Sequence, residues 1–99
     1  MIKLMYILKR REGMSREEFR EYWLKNHAPI VLKMPKLRRY VVNVSSGDSE
    51  FDGVAELWFD TADDMNTALK SEEGRAVVKD AGNFVSKAYV LTVEEHSLL

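Results

Sequence analysis

Four strand-like segments limit the possible folds more than any other part of this sequence, because each is apolar on both of its faces. They span residues 2–9, 37–45, 52–60 and 87–93. In the first segment, Leu4 and Tyr6 alternate with Met5 and Ile7, and successive side chains of a strand point to opposite faces of its sheet. A sheet built from such strands has two apolar faces, and both need a cover.

A helical pattern follows the first strand. A helix is predicted over residues 16–27, since Ser15 and Glu18 form a capping box at its start. Pro29 lacks an amide hydrogen and disfavours helical geometry in the residue before it. The helix is therefore expected to end or kink at His27.

A second helical region lies between the third and fourth strands. Thr61 is a suitable N-cap for its first part, and Ser71 begins a further piece. Gly82 and Asn83 are expected to end that piece, because both tolerate left-handed geometry. The order β-α-β-β-α-β predicts an α+β, ferredoxin-like fold, a single domain over residues 1–99 with a four-stranded antiparallel sheet and the helices on one face.

The uncovered face of that sheet predicts a partner. The helices cover only one of the two apolar faces, so the other is expected to pack on a second copy of the chain, sheet to sheet, as a two-fold homodimer. The alternative is a monomer whose bare face is covered by a different protein.

Composition narrows the classes of function. The 99 residues include 15 basic and 16 acidic side chains and no cysteine. The lack of cysteine excludes disulfides, thiol nucleophiles and thiolate metal sites, and it fits a cytoplasmic location. No apolar run approaches the roughly 20 residues of a membrane helix, and no basic motif with interleaved aromatic residues favours nucleic acid. Neither a membrane nor a nucleic acid is an expected partner.

Motifs for cofactors and for hydrolytic triads are also missing. The five glycines are scattered, so the sequence has no phosphate-binding loop. His27 and His96 lie too far apart in sequence to give a recognised metal-ligand spacing, and no serine lies in a nucleophile elbow. We therefore expect neither a metal nor a cofactor.

Phe19, Trp23 and His27 are spaced by four residues, which places them on one face of the predicted helix. The opposite side is charged, so His27 is expected on the buried stripe. Three interpretations are open: a core histidine bonded to a backbone carbonyl, a general acid/base or ligand-binding residue, or a surface residue at a frayed helix end. An unperturbed pKa of about 6.5 suits proton exchange near neutrality.

Glu56 is the second candidate catalytic residue. It lies in mid-strand among apolar neighbours, where an isolated carboxylate is costly and needs a partner. One interpretation is a cross-strand ion pair with Lys3, Arg38 or Arg39. The other is a dyad in which Glu56 orients His27 as a proton shuttle.

Aromatic side chains are frequent enough to form a pocket for a small hydrophobic or aromatic ligand. Ordinary packing in the core is the alternative explanation for them. The predicted substrate-binding residues are Tyr6, Phe19, Trp23, Tyr40, Trp58 and Phe84.

Two motifs give the sequence a family resemblance. Residues 13–29 read Gly-Met-Ser-x-Glu-Glu-Phe-x-x-Tyr-Trp-x-x-x-His-Ala-Pro, and residues 51–59 read Phe-Asp-Gly-Val-Ala-Glu-Leu-Trp-Phe. Together they resemble the EthD family of dimeric α/β-barrel proteins over nearly the whole chain. The resemblance implies a small-molecule pocket between the sheet and the helices of each subunit. It also draws attention to His27, Trp23, Pro29, Gly53, Glu56 and Trp58.

The resemblance implies a function class rather than one reaction. The leading hypothesis is a cofactor-independent isomerase, cyclase or decarboxylase acting on an aromatic, lactone or polyketide-like substrate, with His27 as the acid/base. One alternative is a non-catalytic small-molecule-binding accessory protein. The other is a monooxygenase, either cofactor-free or using haem with His27 as its axial ligand.

Overall fold

The computed structural model describes residues 1–99 and confirms the predicted α+β, ferredoxin-like arrangement. Its four strands, β1 to β4, are Ile2–Arg10, Arg39–Val44, Gly53–Phe59 and Val85–Val93. Its helices, α1 to α4, are Arg16–Tyr22, Ala28–Val31, Ala62–Lys70 and Glu72–Ala81. A π-helical segment, Trp23–His27, joins α1 to α2.

The sheet has the strand order β2-β3-β1-β4, and every pair of neighbours is antiparallel. Tyr6 of β1 lies opposite Ala55 of β3 and Val90 of β4. Because these three residues share the face on which the helices pack, their side chains point into the layer between sheet and helices. The face that carries Lys3 and Glu56 points away from the helices.

The core lies between the helices and the inner face of the sheet. Phe19, Trp23, Phe59 and Phe84 are fully buried there. Phe19 and Trp23 meet edge to face with their ring centroids 5.4 Å apart, a preferred geometry for aromatic pairs. A methyl group on Gly53 would overlap the Trp23 indole, so only glycine lets that ring lie directly against the β3 backbone.

The first helical region begins as predicted but does not end at His27. The Ser15 hydroxyl accepts from the Glu18 amide at 3.0 Å, and the Glu18 carboxylate accepts from the Ser15 amide at 2.9 Å. At Pro29 the chain stays helical, because the wider π turn avoids the collision between the proline ring and the preceding carbonyls. Pro29 then lies in the first turn of α2, where its missing donor is tolerated.

α4 ends at Ala81, directly before Gly82 and Asn83 as predicted, but without the left-handed geometry that was expected there. Gly82 has φ of −60° and is not left-handed. The Asn83 amide instead donates to the Asp80 carbonyl at 2.9 Å, and the Phe84 amide donates to the Ala81 carbonyl at 3.1 Å. These short-range bonds satisfy the last carbonyls of the helix without a left-handed residue, and β4 begins at once.

The outer face of the sheet has no helix over it. Met5 and Ile7 of β1 are half-buried there, and Tyr89 and Leu91 of β4 are 46% and 45% exposed. The single chain therefore leaves an apolar surface open to water. None of the helices combines the length and the hydropathy that a bilayer crossing requires.

Candidate functional site

A cavity of about 490 Å³ lies between the inner face of the sheet and the helices. His27 is the only one of its sixteen lining residues that is not hydrophobic. The cleft between Arg16, Arg20 and Asp52 is more open and is lined mainly by charged or polar groups. The less open, apolar cavity is the better site for a small organic molecule.

Only one of the two ring nitrogens of His27 forms a hydrogen bond with the rest of the protein. The residue is 6% exposed, and its Nδ1 lies 2.8 Å from Asp80 Oδ2. Its Nε2 has no hydrogen-bond partner in the chain. Every fully buried side-chain nitrogen or oxygen of the protein does have such a partner, so Nε2 is not one of the fully buried atoms. His27 is one of the residues that line the cavity.

The protonation state of this pair follows from its surroundings. Burial lowers the pKa of His27, against the opposing effect of Asp80. Burial alone would raise the pKa of Asp80, but hydrogen bonds from His27, Tyr22 and Asn83 outweigh it, and the net shift is downward. At neutral pH the imidazole is neutral and the carboxylate is ionised. Since a carboxylate only accepts hydrogen bonds, Nδ1 carries the proton and Nε2 presents its lone pair.

Asp80 is itself held by two further side chains. The Tyr22 hydroxyl donates to Asp80 Oδ1 at 2.7 Å. The side-chain amide of Asn83 donates to the same oxygen at 3.1 Å. The Asn83 amide also lies 3.2 Å from the Tyr22 hydroxyl oxygen. Oδ1 is thus used by two donors, and Oδ2 is left for the imidazole.

Two phenols complete the polar groups of the cavity. Trp23 Nε1 donates to the Tyr40 hydroxyl oxygen at 3.0 Å, and burial raises the pKa of Tyr40 to about 12. Burial likewise raises the pKa of Tyr6. Both phenols therefore keep their protons at neutral pH, and each can donate to an oxygen of a bound molecule.

The comparisons with known proteins agree with this architecture. A model of the EthD domain matches residues 11–88. The chain belongs to the EthD family. The crystal structure of an EthD family protein from Bacillus halodurans is 30% identical, with a TM-score of 0.85, over 97% of this chain and 99% of that one. The resemblance drawn from the two sequence motifs is confirmed.

Two further relatives extend the comparison beyond this EthD structure. The 4-carboxymethyl-4-methylbutenolide mutase of Pseudomonas reinekei is 24% identical, over 96% of this chain and 98% of its own length. A dimeric protein with a ferredoxin-like fold from Bacteroides fragilis is 18% identical, with a TM-score of 0.73 and 95% of each chain covered. This EthD chain therefore aligns with these relatives along almost its full length.

The structure separates the predicted site residues of this EthD chain into two groups. The cavity is lined by Tyr6, Trp23, His27, Tyr40 and Phe84. Phe19 lies behind them, with its ring centroid 5.3 Å from that of Phe84, and supports the wall without lining the cavity.

Glu56 and Trp58 lie on the outer face of the sheet, away from His27. Glu56 forms an ion pair with Lys3 and accepts from the Asn43 amide at 2.8 Å. Trp58 packs against Lys3 and Arg39. The predicted Glu56–His27 dyad does not form, and the cross-strand ion pair is the interpretation that the structure supports.

Asp80 and Tyr22 were not recognised as site residues from the sequence. One signal was present, because an acidic residue in the last turn of a helix is unfavourable next to the helix dipole and Asp80 lies there. The partner of Asp80 lies 53 positions away, and no spacing rule connects the two.

The EthD chain offers no preformed metal site. No group of three or more His, Asp or Glu side chains comes together in a way that could hold a metal ion.

Proposed function

We propose that this EthD protein is a small-molecule enzyme that moves a proton on a carbon next to a carbonyl group, with His27 Nε2 as the acid/base. The single observation that carries the proposal is a free imidazole nitrogen in an otherwise hydrophobic cavity of about 490 Å³. Such a cavity suits a lactone, an aromatic ketone or a polyketide-like molecule, whose carbonyl oxygen would be its main polar contact.

The proposed reaction needs only groups that the cavity contains. The Nε2 lone pair takes the proton from the carbon, the C–H electron pair forms the enolate, and the imidazole becomes an imidazolium beside Asp80. A phenol O–H of Tyr6 or Tyr40 donates to the enolate oxygen. The imidazolium then returns its proton to a different carbon, which leaves an isomer of the substrate and the enzyme in its starting state.

The first substrate to test comes from the named relative. The Pseudomonas reinekei protein is a mutase of a butenolide, which is an unsaturated lactone. A β,γ-unsaturated butenolide has an acidic CH2 group between its lactone carbonyl and its double bond, as the proposed chemistry requires. Transfer of one of these protons to the far carbon of the double bond gives the α,β-unsaturated isomer. We therefore propose β,γ-unsaturated butenolides as the leading substrate class for this chain.

The test is isomerisation of β,γ-unsaturated alkyl butenolides to their α,β-unsaturated isomers, followed by proton NMR. We expect turnover by the wild-type protein and none above background by His27→Gln. Unchanged turnover by His27→Gln would contradict the role of His27. Saturable binding without turnover of any carbonyl compound would instead favour the non-catalytic binding function.

We infer that the chain works as a homodimer. Tyr89 and Leu91 contribute to an apolar outer face that no helix covers, and two such faces can pack on each other at the usual spacing of stacked sheets. Light scattering should give about twice the chain mass of 11.5 kDa. A monomer at micromolar concentration would contradict this inference.

A further inference from the structure

Four side chains from different parts of the chain form a hydrogen-bond network that reaches the His27 imidazole through its Nδ1 atom. Tyr22 ends α1, His27 ends the π-helical segment, Asp80 lies in the last turn of α4, and Asn83 follows that helix. Four contacts of 2.7 to 3.2 Å join them. No such contact reaches His27 Nε2, so the network holds the ring through Nδ1 alone.

The placement of Asp80 is not explained by the stability of its own helix. A negative charge in the last turn of a helix opposes the helix dipole, and partial burial of a carboxylate costs free energy unless hydrogen bonds replace its water. The protein offsets that cost with three donors: the imidazole, a phenol and an amide. A carboxylate held in this way is in place to act on the imidazole.

We propose that Asp80 is a positioning residue that fixes His27 in the Nδ1–H tautomer and thereby makes Nε2 the reacting nitrogen. We further propose that Tyr22 and Asn83 hold Asp80 for this task by occupying its Oδ1. The inference rests on the proposed function, because it names the residue that prepares the base. It concerns the ring's tautomer, which can be measured without any substrate.

The tautomer matters because the two ring nitrogens exchange roles with one proton. If the proton were on Nε2, the ring would present a donor to the cavity and could not accept a proton there. An acceptor-only carboxylate at Nδ1 excludes that form. The same carboxylate stabilises the imidazolium after proton uptake, as the aspartate of a Ser-His-Asp triad does.

The substitution Asp80→Asn tests the tautomer of His27 directly, because the two donors at Oδ1 determine which way the new amide group is oriented. Tyr22 and Asn83 direct the new amide oxygen to the Oδ1 position, so the amide NH₂ faces His27 Nδ1. That nitrogen must then accept a hydrogen bond, and the ring proton moves to Nε2. The change is nearly isosteric, so the helix packing is retained while the tautomer is reversed.

The measurement is a long-range ¹H–¹⁵N correlation spectrum of the histidine rings at about pH 8. The chain has only two histidines, and His96 lies in the exposed tail, so the two ring systems can be assigned with His96→Gln. We expect His27 in the wild type to show a protonated Nδ1 and an unprotonated Nε2. In Asp80→Asn we expect the reverse pattern.

Two controls separate tautomer control from general disturbance. Asp48→Asn, which changes a fully exposed aspartate, should leave the spectrum of His27 unchanged. Tyr22→Phe combined with Asp80→Asn removes one donor from Oδ1, so we expect a mixture of both tautomers. Backbone amide shifts like those of the wild type will identify variants that remain folded.

The outcomes distinguish this inference from the proposed function. A wild-type His27 with the proton on Nε2, or an Asp80→Asn protein that keeps Nδ1–H, would overturn the positioning role even if the enzyme turns over a butenolide. The expected spectra with no turnover of any carbonyl compound would uphold the positioning role and contradict the proposed reaction. Where turnover is found, Asp80→Asn should lower kcat about 100-fold or more with little change in KM.

Discussion

Each face of the sheet carries an ionisable group among apolar side chains, but the two groups differ in how many of their hydrogen-bonding atoms have protein partners. On the outer face, Glu56 is fully engaged by Lys3 and by the Asn43 amide. On the inner face, His27 lines a cavity and forms a hydrogen bond through Nδ1 only, so its Nε2 has no partner in the chain. An ionisable group whose hydrogen-bonding atoms all have protein partners stabilises the fold. A group that keeps one hydrogen-bonding atom without a protein partner, beside a cavity, can act on a ligand. This difference is why we place the chemistry on the inner face.

The largest effect is expected from removing the free nitrogen. His27→Gln should lower the rate of butenolide isomerisation by about 100-fold to 10,000-fold, the usual contribution of a positioned acid/base. The rate is measured by proton NMR at saturating substrate. His96→Gln, in the exposed tail, is the matched control and should keep the wild-type rate. An equal loss of isomerisation rate in both variants would contradict a catalytic role that belongs to His27 and not to His96.

A large effect on the inner face alone is expected from Gly53→Ala. The added methyl group would overlap the Trp23 indole and the Asn43 carbonyl, so the cavity wall has to move. We expect a loss of about 1–3 kcal/mol in the free energy of unfolding, measured by urea denaturation, together with weaker ligand binding. Gly47→Ala, which would meet no atom within 4 Å, should change neither quantity. Wild-type stability in Gly53→Ala would show that Trp23 does not depend on this contact.

Glu56→Gln tests the outer face. Lys3 retains Glu95, whose Oε2 lies 3.0 Å from its Nζ, so its charge stays compensated and the loss of stability should be about 1 kcal/mol. The isomerisation rate should not change, because the sheet separates Glu56 from the cavity. A loss of rate comparable to that of Asp80→Asn would contradict the contrast between the two faces.

The smallest effect is a change in stability with pH. The pKa of His27 is lowered by burial in the folded state, so the unfolded chain binds its proton more readily. The stability from this group is complete above its unfolded pKa of about 6.5 and is lost as the pH falls through the lower, folded pKa. In urea denaturation at several pH values, His27→Gln should show a shallower decline below pH 6.5 than the wild type. Parallel curves would contradict the shift.

Alternation along the strands predicted the sheet well but did not decide which face the helices cover. It correctly separates Tyr6 and Tyr40 from Glu56 and Trp58, since the two sets lie on opposite faces. Both sets are rich in apolar or aromatic neighbours, so hydrophobicity alone does not choose between them. For this reason the predicted pocket combined residues that the folded sheet keeps apart.

The helix stripe was a stronger predictor of the site. The four-residue spacing of Phe19, Trp23 and His27 placed all three inside the protein, where the structure has them. The π-helical segment Trp23–His27 before Pro29 was not predicted, because the sequence shows that proline disturbs a helix but not whether the helix stops or widens. Asp80 could not be linked to His27, since their contact depends on how α4 docks across the sheet.

The most direct test of the central claim is deuterium uptake by a bound carbonyl compound. A β,γ-unsaturated alkyl butenolide is incubated in D₂O with the wild-type protein, and loss of the signal of the CH2 protons next to the carbonyl is followed by NMR. The account predicts exchange faster than the buffer background in the wild type and in His96→Gln, with none in His27→Gln. Exchange at the wild-type rate in His27→Gln would contradict it.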